Sequence, residues 1–340
     1  MTVNTYRLEK VDPLIYKEED WKRYFDFRTK SYALINRPMP FESVEKLKER
    51  NVESIKERGQ EIYQVWKNEQ EHGTLVFSLE FKDDLKKRFT YLNNYMNDKH
   101  VDANLLEMVF KKFIDYDEKS NSLAIQSEEG MNDYVTDLYD ARIGSTLAFY
   151  ELNVKEANVE KIDAWLAEAP AKFPNLRIVF YNEIPDDLLE EYAAFYMQLW
   201  GDMPANSALG ETKITAESLK AAQQPGPYRA YRYVVFNEAN QLVAKTYVVL
   251  NPKQPQVVDQ YMTGVMEKYR GRGLSKWIKA AMFKKLVTEF PALEKITTEA
   301  HPENHGSREL SKRMGYKRTG GEKGFLIDRA NIVKHLETNT

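Results

Sequence analysis

The chain has 340 residues and no cysteine. That excludes disulfide scaffolds, thiolate zinc sites and cysteine nucleophiles together. Glycine and proline are sparse, at 15 and 13 residues, which excludes collagen-like and low-complexity chains. Neither sign of charge dominates: 49 basic and 52 acidic residues leave a formal net charge of -3. This balance argues against a dedicated nucleic-acid binder. No apolar run nears the roughly 18–20 residues of a membrane span, and the first twelve residues lack the apolar stretch of a secretory signal. The expectation is a soluble, cytoplasmic protein with no membrane or nucleic-acid partner.

Hydrophobic residues make up 42% of the chain and charged residues 30%, an ordinary globular balance. At roughly 100–200 residues per domain the length predicts two domains. The first half reads as a strand at 5–10, a helix from Glu18 to about Arg37, and two paired strands at 61–66 and 74–80. Glu71, His72 and Gly73 serve as turn material between that pair. A strand near Phe89 to Tyr95 and a helix from Ala103 to Phe113 follow. The second half repeats the order. A strand at 176–181 leads to a helix opened by Pro185, with Asp186 and Asp187 in its first turn. A hairpin of 231–236 and 242–250, a strand at 257–265, an amphipathic helix at 274–290 and a strand at 295–300 complete it. One element order met twice implies an internal duplication. The fold class is α/β (α+β), with two domains of mixed twisted sheet flanked by helices. They span 1–152 and 176–340, joined by a charged connection at 153–175.

The segment from Val265 to Lys279 carries the chemistry. A strand runs into a helix through Arg270-Gly271-Arg272-Gly273-Leu274-Ser275. Two glycines there permit a sharp turn and a close approach by a ligand. The unpaired N–H groups of the first helical turn then converge on a spot suited to phosphate. Arg270, Arg272 and Lys276 add positive charge. Seven basic residues and one acidic residue lie between Glu267 and Lys285. The spacing is not that of a Walker loop, and Lys276 stands where a dinucleotide fingerprint wants its third glycine. Taken alone, a Gly-x-Gly is more often a plain strand-to-helix turn.

These residues resemble the acyl-coenzyme A pyrophosphate loop of the GNAT N-acetyltransferases, Arg/Gln-x-x-Gly-x-Gly/Ala. Arg270, Gly273 and Ser275 stand at its key places; Ser275 departs from Gly or Ala but is small and keeps its N–H. A second segment resembles the family's Asn-x-x-Ala/Ser motif after the fifth strand, through Asn304, Ser307, Leu310, Gly315 and Tyr316. The order and separation of the two segments also agree. The resemblance is close over about 150 residues of the second half, and the whole is similar to the tandem, mycothiol-synthase-like group. It implies a GNAT fold and acetyl-CoA as co-substrate. The coenzyme would be held by Thr263, Val265, Arg270, Gly271, Arg272, Gly273, Leu274, Ser275, Lys276, Asn304 and Ser307. The acceptor would be the amine of a small molecule or peptide. The first half departs from the pattern: residues 98–106 hold no glycine and place Asp98 and Asp102 where a pyrophosphate would lie. Like charge there disfavours phosphate, so the first domain reads as a degenerate copy.

The family reaction is direct attack of a neutral amine on the thioester, assisted by a general base. The resemblance points to Asp259 for that base, with Glu299 on the next strand as its rival. Where relatives carry a tyrosine that protonates the thiolate, this chain has Ser311, a candidate hydrogen-bond donor to sulfur. Tyr316 reads as core. His301 and His305 are four apart, but Pro302 interrupts any helix that would align them as metal ligands, so no metal is expected. A second class of function stays open, a regulatory or scaffold protein that binds acyl-CoA without turning it over. The acceptor and the oligomeric state are not legible.

Overall fold

The computed structural model describes residues 4–34, 44–82, 87–96, 103–116, 118–128, 134–202, 214–224 and 228–338. The first half of the chain forms β1 (Tyr6–Val11), α1 (Glu18–Leu34), α2 (Val44–Arg58), β2 (Glu61–Lys67), β3 (Gln70–Lys82), β4 (Lys87–Met96), α3 (Ala103–Tyr116), β5 (Ser122–Glu128), α4 (Tyr134–Tyr139) and β6 (Arg142–Asn153). After α5 (Val159–Lys172) the series recurs as β7 (Arg177–Tyr181), α6 (Leu189–Gly201), α7 (Ala216–Ala222), β8 (Arg229–Phe236), β9 (Leu242–Leu250), β10 (Val257–Val265), α8 (Leu274–Glu289), β11 (Lys295–Ala300), α9 (His305–Met314) and β12 (Lys317–Asp328), closed by α10 (Arg329–Thr338).

The chain divides into two compact units. Of the described residues, unit 1 holds those up to Leu147 and those from Gly320 on; unit 2 holds those from Ala148 to Thr319. In unit 1 the strands run β1-β2-β3-β4-β5-β12, antiparallel except for the parallel pair β4–β5. In unit 2 the order β7-β8-β9-β10-β11-β6 repeats that pattern, with β10–β11 as the parallel pair. The last strand of each half thus completes the other unit's sheet: β12 pairs β5, and β6 pairs β11. The compact units and the sequence halves differ at these strands. The charged connection at 153–175, long enough to hold a helix around Ile162–Ala167, does form one over most of its length: α5, whose Ile162 and Ala169 are buried.

Alternation along the strands sets each core. Ile62 and Val76 turn towards Trp21, Tyr24 and Leu47 of α1 and α2. Tyr63, Val65, Leu75 and Phe77 turn towards α3. That helix buries Leu105, Leu106, Val109, Phe110 and Phe113, spaced by three and four as the sequence predicts. In unit 2, α6 lies over Val234, Phe236 and Leu242 on one face. Helices α5, α8 and α9 cover the other face, against Val248, Leu250, Val258 and Ile296.

Two local expectations need correction. Residues 71–73 are not a turn but lie within β3. The turn is Asn68-Glu69, both at positive φ, 49° and 61°. Two left-handed residues joining Lys67 to Gln70 match the twist of a two-residue hairpin. Helix α8 is not a single-stripe amphipath, because it is packed between the sheet and α5 and buries Lys279 with its apolar residues. The basic residues of 267–285 have unlike surroundings. Lys279 is 4% exposed, Lys284 pairs with Asp163 and Lys285 pairs with Glu289. Of the first half's phosphate-loop counterpart, residues 98–102 lie outside the described residues.

Candidate functional site

Parallel pairing of β10 with β11 covers only Val257–Gln260 against Lys295–Thr298. Beyond it the two strands are no longer paired, and β10 runs on alone beside β9. The β9–β10 register slips in the same place: two residues, Tyr261 and Met262, stand opposite Tyr247. This is a β-bulge, which bends a strand and re-aims its side chains. The Gln260 side chain holds it, donating from Nε2 to the carbonyls of Tyr247 (2.7 Å) and Tyr261 (3.1 Å) and to Thr246 Oγ1 (3.1 Å). Thr246 and Thr263 join their hydroxyls at 2.7 Å across the strands. The matching β3–β4 pair of unit 1 runs from Gly73↔Met96 to Lys82↔Lys87 without a slip.

Past the bulge, Val265 leads into a single 3-10 turn at Glu267–Tyr269 and then the Arg270–Gly273 loop. Gly271 (φ +76°) and Gly273 (φ +93°) are both left-handed, a conformation that other side chains adopt only with strain. Gly273 is the N-cap of α8, and no side chain caps that helix. Its first-turn N–H groups therefore face outward beside Arg272 and Lys276, the arrangement that suits an anion. Val265 and Leu274 send their side chains into the core, so only their backbone can serve a ligand. Arg270 works on the protein itself: Nε donates to the Val265 carbonyl at 2.9 Å, and Nη2 pairs with Asp202 at the C-terminus of α6. It thereby ties the loop to the strand before it and to α6.

Asp259 sits on the α6 face of the sheet, where the Thr297 hydroxyl of β11 donates to its carboxylate. Glu299, two residues beyond Thr297, is exposed. The two carboxylates flank the place where β10 and β11 part. Asn304 accepts from the Ser307 N–H (3.1 Å) and so caps α9. Ser311 is 2% exposed on the inner face of α9, and Tyr316 is core, as expected. His301 Nδ1 accepts from the Glu303 N–H. Among the described residues no three His, Asp or Glu side chains gather as metal ligands. No helix among them is long and apolar enough to cross a membrane.

One feature escapes sequence reasoning. Lys245 on β9 is fully buried, and its Nζ has no hydrogen-bond partner among the described residues. It lies 3.2 Å from the ring centre of Tyr196, 4.7 Å from Tyr192 and 5.2 Å from Tyr247. Burial pushes its pKa well below the ordinary lysine range, and the nearby Arg232 pushes the same way. Burial likewise raises the hydroxyls of Tyr192 and Tyr247 above the ordinary tyrosine range. Lys279 on α8 is held down to about 8 by desolvation. The only sequence signal for Lys245 is a lysine interrupting the apolar run Leu-Val-Ala-Lys-Thr-Tyr-Val-Val-Leu.

No protein-family model and no curated protein matches the chain. Solved structures do. A tandem GNAT protein from the clavulanic acid biosynthesis pathway, solved without acetyl-CoA, aligns over 96% of this chain and 99% of its own, with a TM-score of 0.65 and 13% identity. A GCN5-related N-acetyltransferase from Sphaerobacter thermophilus aligns over 95% and 96%, with a TM-score of 0.57 and 11% identity. A glucosamine N-acetyltransferase region within a fungal multi-domain β-N-acetylglucosaminidase aligns over 96% of this chain and 38% of that one, with a TM-score of 0.54 and 12% identity. At such identities the likeness is one of fold. The chain has the GNAT fold, in a tandem arrangement.

Proposed function

We propose that unit 2 binds acetyl-CoA and transfers its acetyl group to a primary amine, and that unit 1 is a copy without a coenzyme site. One observation carries this reading: an uncapped helix N-terminus behind two left-handed glycines, at the end of a bulged strand parting from its parallel neighbour. Unit 1 has the same parallel pair, but its β3–β4 register has no bulge. The backbone N–H groups of Gly273, Leu274 and Ser275, with Arg272 and Lys276, would hold the pyrophosphate. The thioester would then lie where β10 and β11 separate. The amine nitrogen attacks the thioester carbonyl, the C–S bond breaks, and coenzyme A leaves as thiolate. The amine proton passes to Asp259 or to Glu299. Ser311 is the candidate donor to the departing sulfur.

The competing reading is a regulatory or scaffold protein that keeps the coenzyme and transfers nothing; the inward-turned Ser311, where relatives place a tyrosine, favours it. Incubation with acetyl-CoA and a panel of primary amines separates the two. Amine-dependent release of the coenzyme A thiol, with an acetylated amine seen by mass spectrometry, is the expected result. Binding of acetyl-CoA without turnover of any amine would select the scaffold.

A further inference from the structure

We infer that the acceptor amine carries an aromatic ring on a short chain, and that Tyr261 is the plate on which this ring stacks. The inference rests on the acetyl-transfer reading and names the substrate class of that same site.

The two residues of the β10 bulge, Tyr261 and Met262, have different surroundings. Met262 packs into the core under α6, whereas Tyr261 is 49% exposed. Its ring is not a loose surface aromatic. It stacks on Tyr247 at 5.2 Å between centroids, with 13° between planes. The Tyr247 hydroxyl meets that of Tyr196 at 3.2 Å, and Tyr196 stacks on Trp200, one turn further along α6, at 24°. Three rings from α6 and β9 thus fix the plane of the outermost one. Tyr261 directly follows Gln260, the last residue of β10 that pairs with β11. It therefore stands at the opening between the strands, beside the proposed thioester.

The same sheet face carries Asp259, two residues before Tyr261, and Glu299 across the opening. Carboxylates beside a fixed aromatic plane suit a molecule with a cationic nitrogen at one end and a flat apolar group at the other. The charge draws the ammonium to the base that must deprotonate it, and the ring offers an offset-stacked contact. A single exposed aromatic is ordinary on a protein surface. A ring held in plane by three others, at the mouth of the reaction site, is a preorganised one, and preorganisation raises affinity by sparing ordering entropy. A purely aliphatic amine of similar hydrophobicity would lose the stacking term.

The test compares 2-phenylethylamine with hexylamine, at saturating acetyl-CoA, in the wild type, Tyr261→Ala and Tyr261→Phe. A stacking contribution predicts kcat/KM about tenfold higher for the aromatic amine in the wild type. Tyr261→Phe should keep the preference and Tyr261→Ala should bring it near parity. The same ranking should appear calorimetrically when each amine is titrated into the protein saturated with coenzyme A, which has no acetyl group to transfer. Parity in the wild type, or a preference that survives Tyr261→Ala, overturns the inference. Ring-selective, Tyr261-dependent binding with no turnover would leave the amine site standing and sink the acetyl-transfer reading. Neither binding nor turnover of either amine would overturn the inference alone and leave the acetyl-transfer reading to the wider amine panel.

Discussion

Replacing Asp259 with asparagine is expected to slow acetyl transfer by about 10²–10⁴-fold, the usual loss when a general base is removed. The change keeps the shape of the side chain. Asparagine can also still accept the hydrogen bond that the Thr297 hydroxyl gives the native carboxylate, so the strands should stay in register. Acetyl-CoA affinity should barely move, because the pyrophosphate is assigned to backbone groups at 273–275, on a separate loop. The defect should shrink as pH rises, since more of the amine then arrives neutral. Full activity of Asp259→Asn, with loss of activity in Glu299→Gln, would hand the role to Glu299. Full activity in both variants would remove strand carboxylates from the mechanism altogether.

Lys245→Met is expected to stabilise the protein at neutral pH. Lys245 has no exposed surface and, among the described residues, no hydrogen-bond partner for Nζ. A buried, unsatisfied polar group costs about 1–3 kcal/mol. There is a protonic cost as well. The unfolded chain carries this lysine with a pKa near 10.4, and folding depresses it. Between the two pKa values the unfolded state holds a proton that the folded state lacks, so this group's contribution to stability rises with pH, by up to about 1.4 kcal/mol per unit. Its penalty is fully present below the folded pKa and gone above about 10.4. The charged and titratable groups facing it are Arg232 from β8, Tyr192 and Tyr196 from α6, and Tyr247 from β9. The tyrosines oppose the trend only above about pH 10, where unfolded tyrosines ionise. Methionine is unbranched, of similar length and able to fill the same space. Urea unfolding between pH 6 and 9.5 should show the variant more stable throughout, with the gap narrowing as pH rises. Parallel curves, or a less stable variant, would show that Lys245 is charged or partnered in the folded protein.

Much of the fold is legible in the sequence because it rests on periodicity. The spacing of Leu105, Leu106, Val109, Phe110 and Phe113 marks α3, and Asn237–Gln241 marks the hairpin between β8 and β9. The glycine loop is legible because glycine takes the left-handed backbone at 271 and 273 without strain. What stayed hidden depends on tertiary context. The turn at Asn68-Glu69 was masked by a more glycine-like stretch three residues on. The exchange of β6 and β12 leaves no mark, since a final strand reads alike beside either sheet. The bulge at Tyr261 follows from register, not composition. Tyr231 and Tyr233 share one strand face and pack, partly buried, against the core. The ring cluster that matters is assembled from residues 196, 200, 247 and 261, which no single sequence window brings together. Arg270 stands in the motif as a coenzyme contact, and its bonds to Val265 and Asp202, which no spacing in the sequence marks, also brace the loop.

The central claim is that the coenzyme site is single and lies at the Gly271–Ser275 loop of unit 2. Calorimetric titration of acetyl-CoA into the whole chain tests it most directly, in the wild type and in Gly273→Asp. Aspartate at φ +93° is strained and sets a negative charge against the pyrophosphate. The account predicts one equivalent bound per chain, with affinity at least tenfold weaker in the variant, about 1.4 kcal/mol, and an unchanged circular dichroism spectrum. Two equivalent sites, or unaltered affinity in a well-folded Gly273→Asp, would contradict it.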